Sequence, residues 1–250
     1  MQADTAPQFE RTRILLTPAE MSRLAQAHVL VAGLGGVGSY CAEALARAGV
    51  GRLTIIDHDV VAASNINRQL PALLSTVGQS KAALMTARIH DINPACELHV
   101  IREFLTPDNV TRLVPSDLDY VIDCIDSLNC KVALVVTSVE RGLRVASSMG
   151  AGNKLDPARI RLADISKTSQ CPLASVMRKR LRKRGIDKGV LTVFTDEPGR
   201  APLAPQPVEG SGRPRAVNGT ISYMPPLFGL MLAGAVVQQL IVETHSLKLS

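Results

Sequence analysis

The chain has 250 residues and is 46% hydrophobic, enough for one large α/β domain or a domain with a small appendage. Aromatic residues make up only 3% and tryptophan is absent, which excludes a binding mode built on stacked aromatic platforms. The net charge of +6 is local: Lys167 to Arg215 holds 11 Lys and Arg against 4 Asp and Glu, a balance of +7 that leaves −1 for the rest. That segment is therefore either a solvated basic face or the surface for a polyanion.

Residues 1–27 read as an N-terminal arm, 28–150 as a nucleotide-binding core and 151–250 as a substrate-side extension. The first ten residues are polar and lack the apolar core of a signal peptide. The five cysteines (Cys41, Cys96, Cys124, Cys130 and Cys171) form no C-x-x-C pair, which argues against a four-cysteine zinc site. An odd count without a secretory signal fits the cytoplasm.

The core opens with a buried strand, residues 28–32 (HVLVA), running into Gly33-Leu-Gly35-Gly36-Val-Gly38 and a helix over Tyr40 to Ala48. Strands are expected at Arg52–Asp57, Glu97–Arg102, Tyr120–Asp123 and Arg144–Ser148, and helices at Lys81–Ile92, Pro107–Leu113 and Lys131–Arg141. Strands alternating with helices imply a doubly wound, mainly parallel sheet of the Rossmann-like kind.

After Gly150 the alternation loosens. Strands at Arg159–Ile165 and Val190–Thr195 flank a basic helix that starts at Pro172. Leu173, Val176, Met177 and Leu181 form its apolar stripe. Residues 198–215 are rich in Pro and Gly and read as a loop. Leu227 to Val242 is apolar but shorter than the ~20 residues that span a bilayer, so a buried helix is expected, with peripheral membrane attachment left open.

The glycine loop carries G-x-G-x-x-G at Gly33, Gly35 and Gly38. Glycines let the backbone approach a phosphate, and the following helix N-terminus attracts its charge. Asp57 ends the next strand, where a carboxylate accepts hydrogen bonds from ribose hydroxyls. Up to this point a dinucleotide-dependent oxidoreductase fits equally well. Beyond Asp57 lie Asp59, Asn65, Arg68, Gln69 and Lys81. Two added cations suit a triphosphate better than a pyrophosphate held by backbone amides. Asp126, just past a strand end, is placed to hold a magnesium ion over the phosphates.

Together G-L-G-G-V-G-S, D-H-D, N-I-N-R-Q, G-Q-S-K and D-C-I-D resemble the ubiquitin-activating-enzyme-like adenylating superfamily, over residues 9–148. That resemblance implies ATP and Mg2+ as cofactors. It implies Gly35 and Gly36 near the α-phosphate, Asp57 on the ribose, Asn65, Arg68 and Lys81 on phosphates, and Asp126 serving magnesium. Phe9-Glu-Arg11-Thr is similar to the family's arginine motif and implies a homodimer in which Arg11 completes the partner's site. The catalytic set is then Arg11, Arg68, Lys81 and Asp126.

Asn93-Pro94, Thr106-Pro-Asp-Asn-Val110 and the run from Asp164 to Leu173 resemble the tRNA threonylcarbamoyladenosine dehydratase family nearly end to end. This implies tRNA as substrate, adenylation of a threonyl carboxylate, and ring closure with release of AMP. Arg178, Lys179, Arg182 and Lys183 are then the expected tRNA contacts. An adenylating activator of a sulfur-carrier protein is the alternative, and a non-catalytic scaffold holding ATP and a sulfur-transfer protein is a further one. A monovalent cation is a further candidate cofactor. Cys171 is expected to be the more exposed thiol, with Cys124 and Cys130 flanking the ATP site.

Overall fold

The computed structural model describes residues 6–201, 203–206 and 215–242. The arm folds as a short helix α1 (Thr12–Leu15) and helix α2 (Pro18–Gln26). A capping box starts α2: Thr17 Oγ1 accepts from Glu20 N, and the Glu20 carboxylate accepts from Thr17 N at 2.7 Å.

Strand and helix then alternate: β1 (His28–Ala32), α3 (Gly38–Ala48), β2 (Arg52–Ile56), α4 (Lys81–Ile92), β3 (Glu97–Ile101), α5 (Val110–Leu113), β4 (Tyr120–Asp123), α6 (Leu128–Glu140) and β5 (Arg144–Ser148). The second part adds β6 (Ile160–Asp164), α7 (Pro172–Arg182), β7 (Val190–Thr195), β8 (Leu203–Gln206), β9 (Arg215–Val217) and α8 (Met224–Ile241).

The main sheet has the order β3-β2-β1-β4-β5-β7-β6. All its pairings are parallel except β6 against β7. Residues beyond 150 thus supply two strands of the same sheet. β8 and β9 pair separately, antiparallel to one another. Strand β1 is fully buried, as the apolar run Val29 to Ala32 requires in a sheet covered on both faces. One face is covered by α3, α4 and α8, through Leu45, Met85, Ile89, Phe228 and Leu232. The other is covered by α5, α6 and α7, through Val110, Leu134, Met177 and Leu181.

Helix α8 begins three residues before the expected start. Pro225 and Pro226 sit in its first turn, where a missing N–H costs no hydrogen bond. It is long and apolar enough, by length and composition, to cross a membrane. Its Phe228, Leu232 and Val236 are nevertheless fully buried in the core shared with α3. In α7 the buried side is Ala174, Met177 and Leu181, at spacings of three and four. Val176, expected on that stripe, is 41% exposed.

Candidate active site

The strand order reverses between β1 and β4, and the crevice there opens beyond the strand C-termini. A cavity of about 380 Å³ fills it, lined by the ends of β1, β2, β4 and β5 at Ala32, Ile56, Cys124 and Ser148. The loop after β1 forms its floor. Gly33 has φ +88°, and a side chain there would meet Cys124 O at 2.9 Å. Gly36 answers to another constraint, because a Cβ on it would lie 2.9 Å from Pro225 Cβ and 3.2 Å from Arg68 O. That glycine keeps α8 and the Arg68 backbone against the loop as well as leaving the floor open.

Nine residues expected to bind nucleotide line this one cavity: Gly33, Gly35, Gly36, Asp57, Asp59, Arg68, Gln69, Lys81 and Asp126. Three expected residues do not. Gly38 starts α3 with its Cα packed on Gly33 O. Asn65 spends its side-chain oxygen on Ala62 N at 3.0 Å, so it shapes the turn that carries Arg68. Arg11 is exposed on the arm, outside the cavity of its own chain.

The carboxylates separate by their commitments. Asp57 accepts from Leu34 N at 2.6 Å and from Asp59 N at 2.8 Å, which fixes its plane at the end of β2. Burial pushes its carboxyl pKa up. The Leu34 and Asp59 amides and the Lys81 charge pull the other way without cancelling the shift. Asp59 pairs with Lys81 Nζ at 2.8 Å and with His58 Nε2 at 3.1 Å. Glu103 pairs with Arg112 at 2.6 Å. Asp126 is exposed to the cavity and has no hydrogen-bond or ion-pair partner among the described residues, so it is the carboxylate left for a cation.

Lys81 is 5% exposed and its ammonium reaches the cavity wall through Asp59. Arg68 is half-buried; its Nη1 donates to Ser64 O and to Asn67 Oδ1, both at 2.8 Å. Gln69 Oε1 is buried without a partner among the described residues, and Gln69 Nε2 would lie 3.7 Å from a Cβ on Gly35. An orphaned amide oxygen beside a glycine floor, two cations and an uncommitted carboxylate fit a nucleoside triphosphate and its divalent cation.

Sequence reading missed the support beneath these groups. Lys131 and Asp123 are both fully buried and pair at 2.7 Å. Lys131 Nζ also donates to Ser148 O at 2.8 Å, and Asp123 Oδ1 accepts from Ile125 N at 3.1 Å. The pair therefore ties the turn carrying Asp126 to the end of β5. The signal lay in a Lys within the first turn of an apolar helix facing the D-C-I-D strand end. Phe104 and Leu105, past the end of β3, were also missed; Phe104 meets His58 edge-on at 4.7 Å.

Two expectations are corrected. Cys171 is 4% exposed and sits in the core under α7, because its own strand-like turn points it toward Gly150. Arg178 is not a free cation: Nη1 donates to Thr168 O at 2.9 Å and to Thr168 Oγ1, so it holds the 165–171 turn. Arg182 reaches Asp187 at 3.5 Å, while Lys179 and Lys183 stay exposed. Cys124 does line the cavity, but its hydrogen bond with Cys41, followed by burial, holds its thiol well above the ordinary range. It is a poor nucleophile.

The ThiF family model matches residues 9–248. The chain is 42% identical over 242 residues to the tRNA threonylcarbamoyladenosine dehydratase of Bacillus subtilis, covering 94% of this chain and 95% of that one. Among solved structures, Escherichia coli tRNA N6-threonylcarbamoyladenosine dehydratase, TcdA, in complex with ATP superposes with a TM-score of 0.84 at 35% identity, covering 96% of each chain. The same enzyme in complex with AMP gives a TM-score of 0.84 at 36% identity over 94% of each chain. The chain belongs to the ThiF family and, within it, to the tRNA threonylcarbamoyladenosine dehydratases.

Proposed function

We propose that the protein uses ATP to adenylate the threonyl carboxylate of tRNA threonylcarbamoyladenosine and then closes a ring on that carboxyl carbon. A carboxylate oxygen attacks the α-phosphorus and pyrophosphate leaves. Intramolecular attack on the acyl carbon then expels AMP, for a net loss of water from the nucleotide. The observation that carries this reading is the convergence of Arg68, Lys81, Asp57 and Asp126 on one crevice at the strand switch point.

In this reading Asp57 accepts from the ribose hydroxyls, and Phe104 with Ile125 gives the adenine an apolar wall. The backbone of Gly35 and Gly36 faces the α-phosphate, and Arg68 and Lys81 neutralise the departing charge. Asp126 holds magnesium, which when bound supplies charge stabilisation at the phosphates. A monovalent cation would add to the same field. Incubating tRNA with the protein, ATP and magnesium, followed by nucleoside analysis, tests the assignment: the threonylcarbamoyl nucleoside should lose the mass of one water. An unchanged nucleoside, with pyrophosphate release appearing only when a sulfur-carrier protein is added, favours the sulfur-carrier alternative.

The tRNA surface is assigned to the exposed side of α7, on Lys179 and Lys183 and on Arg182, which only grazes Asp187. Replacing these three by Gln should weaken tRNA binding, leave ATP binding unchanged, and flatten the log-log salt dependence by roughly 0.7 to 0.9 per lost contact. Parallel lines for wild type and variant would remove α7 from the interface. Arg178→Ala should instead lower stability through the turn it holds.

Two further assignments follow the family pattern. Arg11, exposed beside Ile14 and Leu15 (71% and 84% exposed), completes the site of a second copy in a homodimer. Mixing inactive Arg11→Ala with inactive Asp126→Ala should restore part of the AMP formation, since one hybrid site keeps both side chains; no recovery after verified subunit exchange refutes the arrangement. The protein is placed in the cytoplasm, with Leu230 on α8 the apolar side chain open to a peripheral membrane contact.

A further inference from the structure

Arg68 lines the cavity, and its guanidinium is held by a connection that crosses the molecule. Its Nη1 donates to Asn67 Oδ1 at 2.8 Å. The other end of that amide, Asn67 Nδ2, donates to Thr220 O at 2.8 Å, 153 residues along the chain. Thr220 lines the cavity and follows directly on Gly219.

Asn153 clamps Gly219 from both sides. Asn153 N donates to Gly219 O at 2.8 Å and Asn153 Oδ1 accepts from Gly219 N at 2.7 Å. Its Nδ2 donates to Asn218 Oδ1 at 2.8 Å, and its carbonyl accepts from Arg200 N at 2.9 Å. All four polar groups of the residue are spent on two segments, one before β8 and one after β9. The backbone pays for this with φ +60°, a left-handed conformation that asparagine tolerates better than most side chains do. Gly152, the preceding residue, and Asn218 both line the cavity.

We infer that Asn67 and Asn153 are positioning residues that act as one unit, locking the Arg68 guanidinium to the C-terminal wall of the ATP cavity through Asn218-Gly219-Thr220. A primary amide that accepts from a guanidinium while donating to a carbonyl is polarised in one sense along its length, which strengthens both bonds. Without Asn67 the guanidinium keeps only Ser64 O, a carbonyl four residues back on its own turn. Without Asn153 the carbonyl of Thr220 loses its fixed place. The inference deepens the adenylation reading and rests on Arg68 contacting the triphosphate.

The test is a double-mutant cycle on the full-length protein, read by ATP KM and kcat for tRNA-dependent AMP formation and by the thermal unfolding midpoint. Asn67→Ala removes the first amide. Asn153→Gly removes the second and keeps the positive φ available. Each single change is expected to raise the KM for ATP about tenfold, the loss of one hydrogen bond to a charged group or its anchor. The double variant should be no worse than the poorer single one, because both cut the same connection. Asn153→Asp, which still accepts from Gly219 N, should recover part of the loss.

Multiplying effects in the double variant, or lowered unfolding midpoints with an unchanged KM for ATP, would overturn the inference. Arg68→Ala separates this from the site reading. If that variant binds ATP normally, the assignment of Arg68 to phosphate has failed. If it is impaired while both asparagine variants bind normally, the positioning unit has failed.

Discussion

Asp126→Ala is expected to reduce AMP formation by about a thousandfold or more while leaving the unfolding midpoint in place. A cation ligand at a triphosphate supplies several kcal/mol of barrier lowering, and each ~1.4 kcal/mol is tenfold in rate. The stability half of the expectation comes from the structure. Asp126 is exposed and makes no hydrogen bond among the described residues, so its removal leaves no buried group unsatisfied. The other three carboxylates at the cavity lack this separation. Asp57 holds the Leu34 and Asp59 amides, Asp59 holds Lys81, and Glu103 holds Arg112. Their replacement would confound folding with catalysis. Initial rates of AMP release at saturating ATP, beside a melting curve, decide the matter; a folded Asp126→Ala protein that turns over normally removes Asp126 from the mechanism.

The sequence made the crevice legible because chemistry there depends on residue type at strand ends. G-x-G-x-x-G, Asp57 and Asp126 follow buried strands and Lys81 opens α4, while Arg68 rides on the turn after Asn65; a parallel sheet brings the strand ends together. Long-range geometry was not legible. Asn65 and Asn67 are equally polar neighbours of Arg68 in sequence. Only the fold shows that Asn65 caps its own turn while Asn67 spans to Thr220. The α7 cations read as equivalent on a helical wheel, yet Thr168 takes Arg178 out of the set. Cys171 was expected to be the more exposed thiol; the chain enters α7 with that side chain turned into the core.

The second half misled for a similar reason. Parallel strands separated by helices announce themselves through alternation, but β6 enters the sheet antiparallel and before its helix. The pattern therefore breaks while the sheet continues through β7. Residues beyond 150, expected only as a substrate-side extension, are thus part of the sheet. They close the sheet edge, and through α8 they pack on α3 directly behind the glycine loop, with Pro225 against Gly36.

Lys131→Met should be the most destabilising single change near the site. It leaves the fully buried Asp123 carboxylate with only Ser147 Oγ at 2.5 Å and Ile125 N at 3.1 Å, and breaking a buried pair in this way costs about 3–5 kcal/mol. For a chain of this size that lowers the unfolding midpoint by roughly 10 °C. Removing both charges should restore most of the stability, because the pair's desolvation penalty disappears with it. The two possible second changes then differ in function. Asp123→Asn keeps an oxygen for Ile125 N, so the turn bearing Asp126 stays in place and AMP formation should recover with stability. Asp123→Leu removes that acceptor, so stability should return without activity. Melting curves and AMP release for Lys131→Met, Lys131→Met/Asp123→Asn and Lys131→Met/Asp123→Leu separate these roles. A single Lys131→Met variant melting within about 2 °C of the wild type, less than 1 kcal/mol for a chain of this size, would show that the buried pair is not what holds the turn.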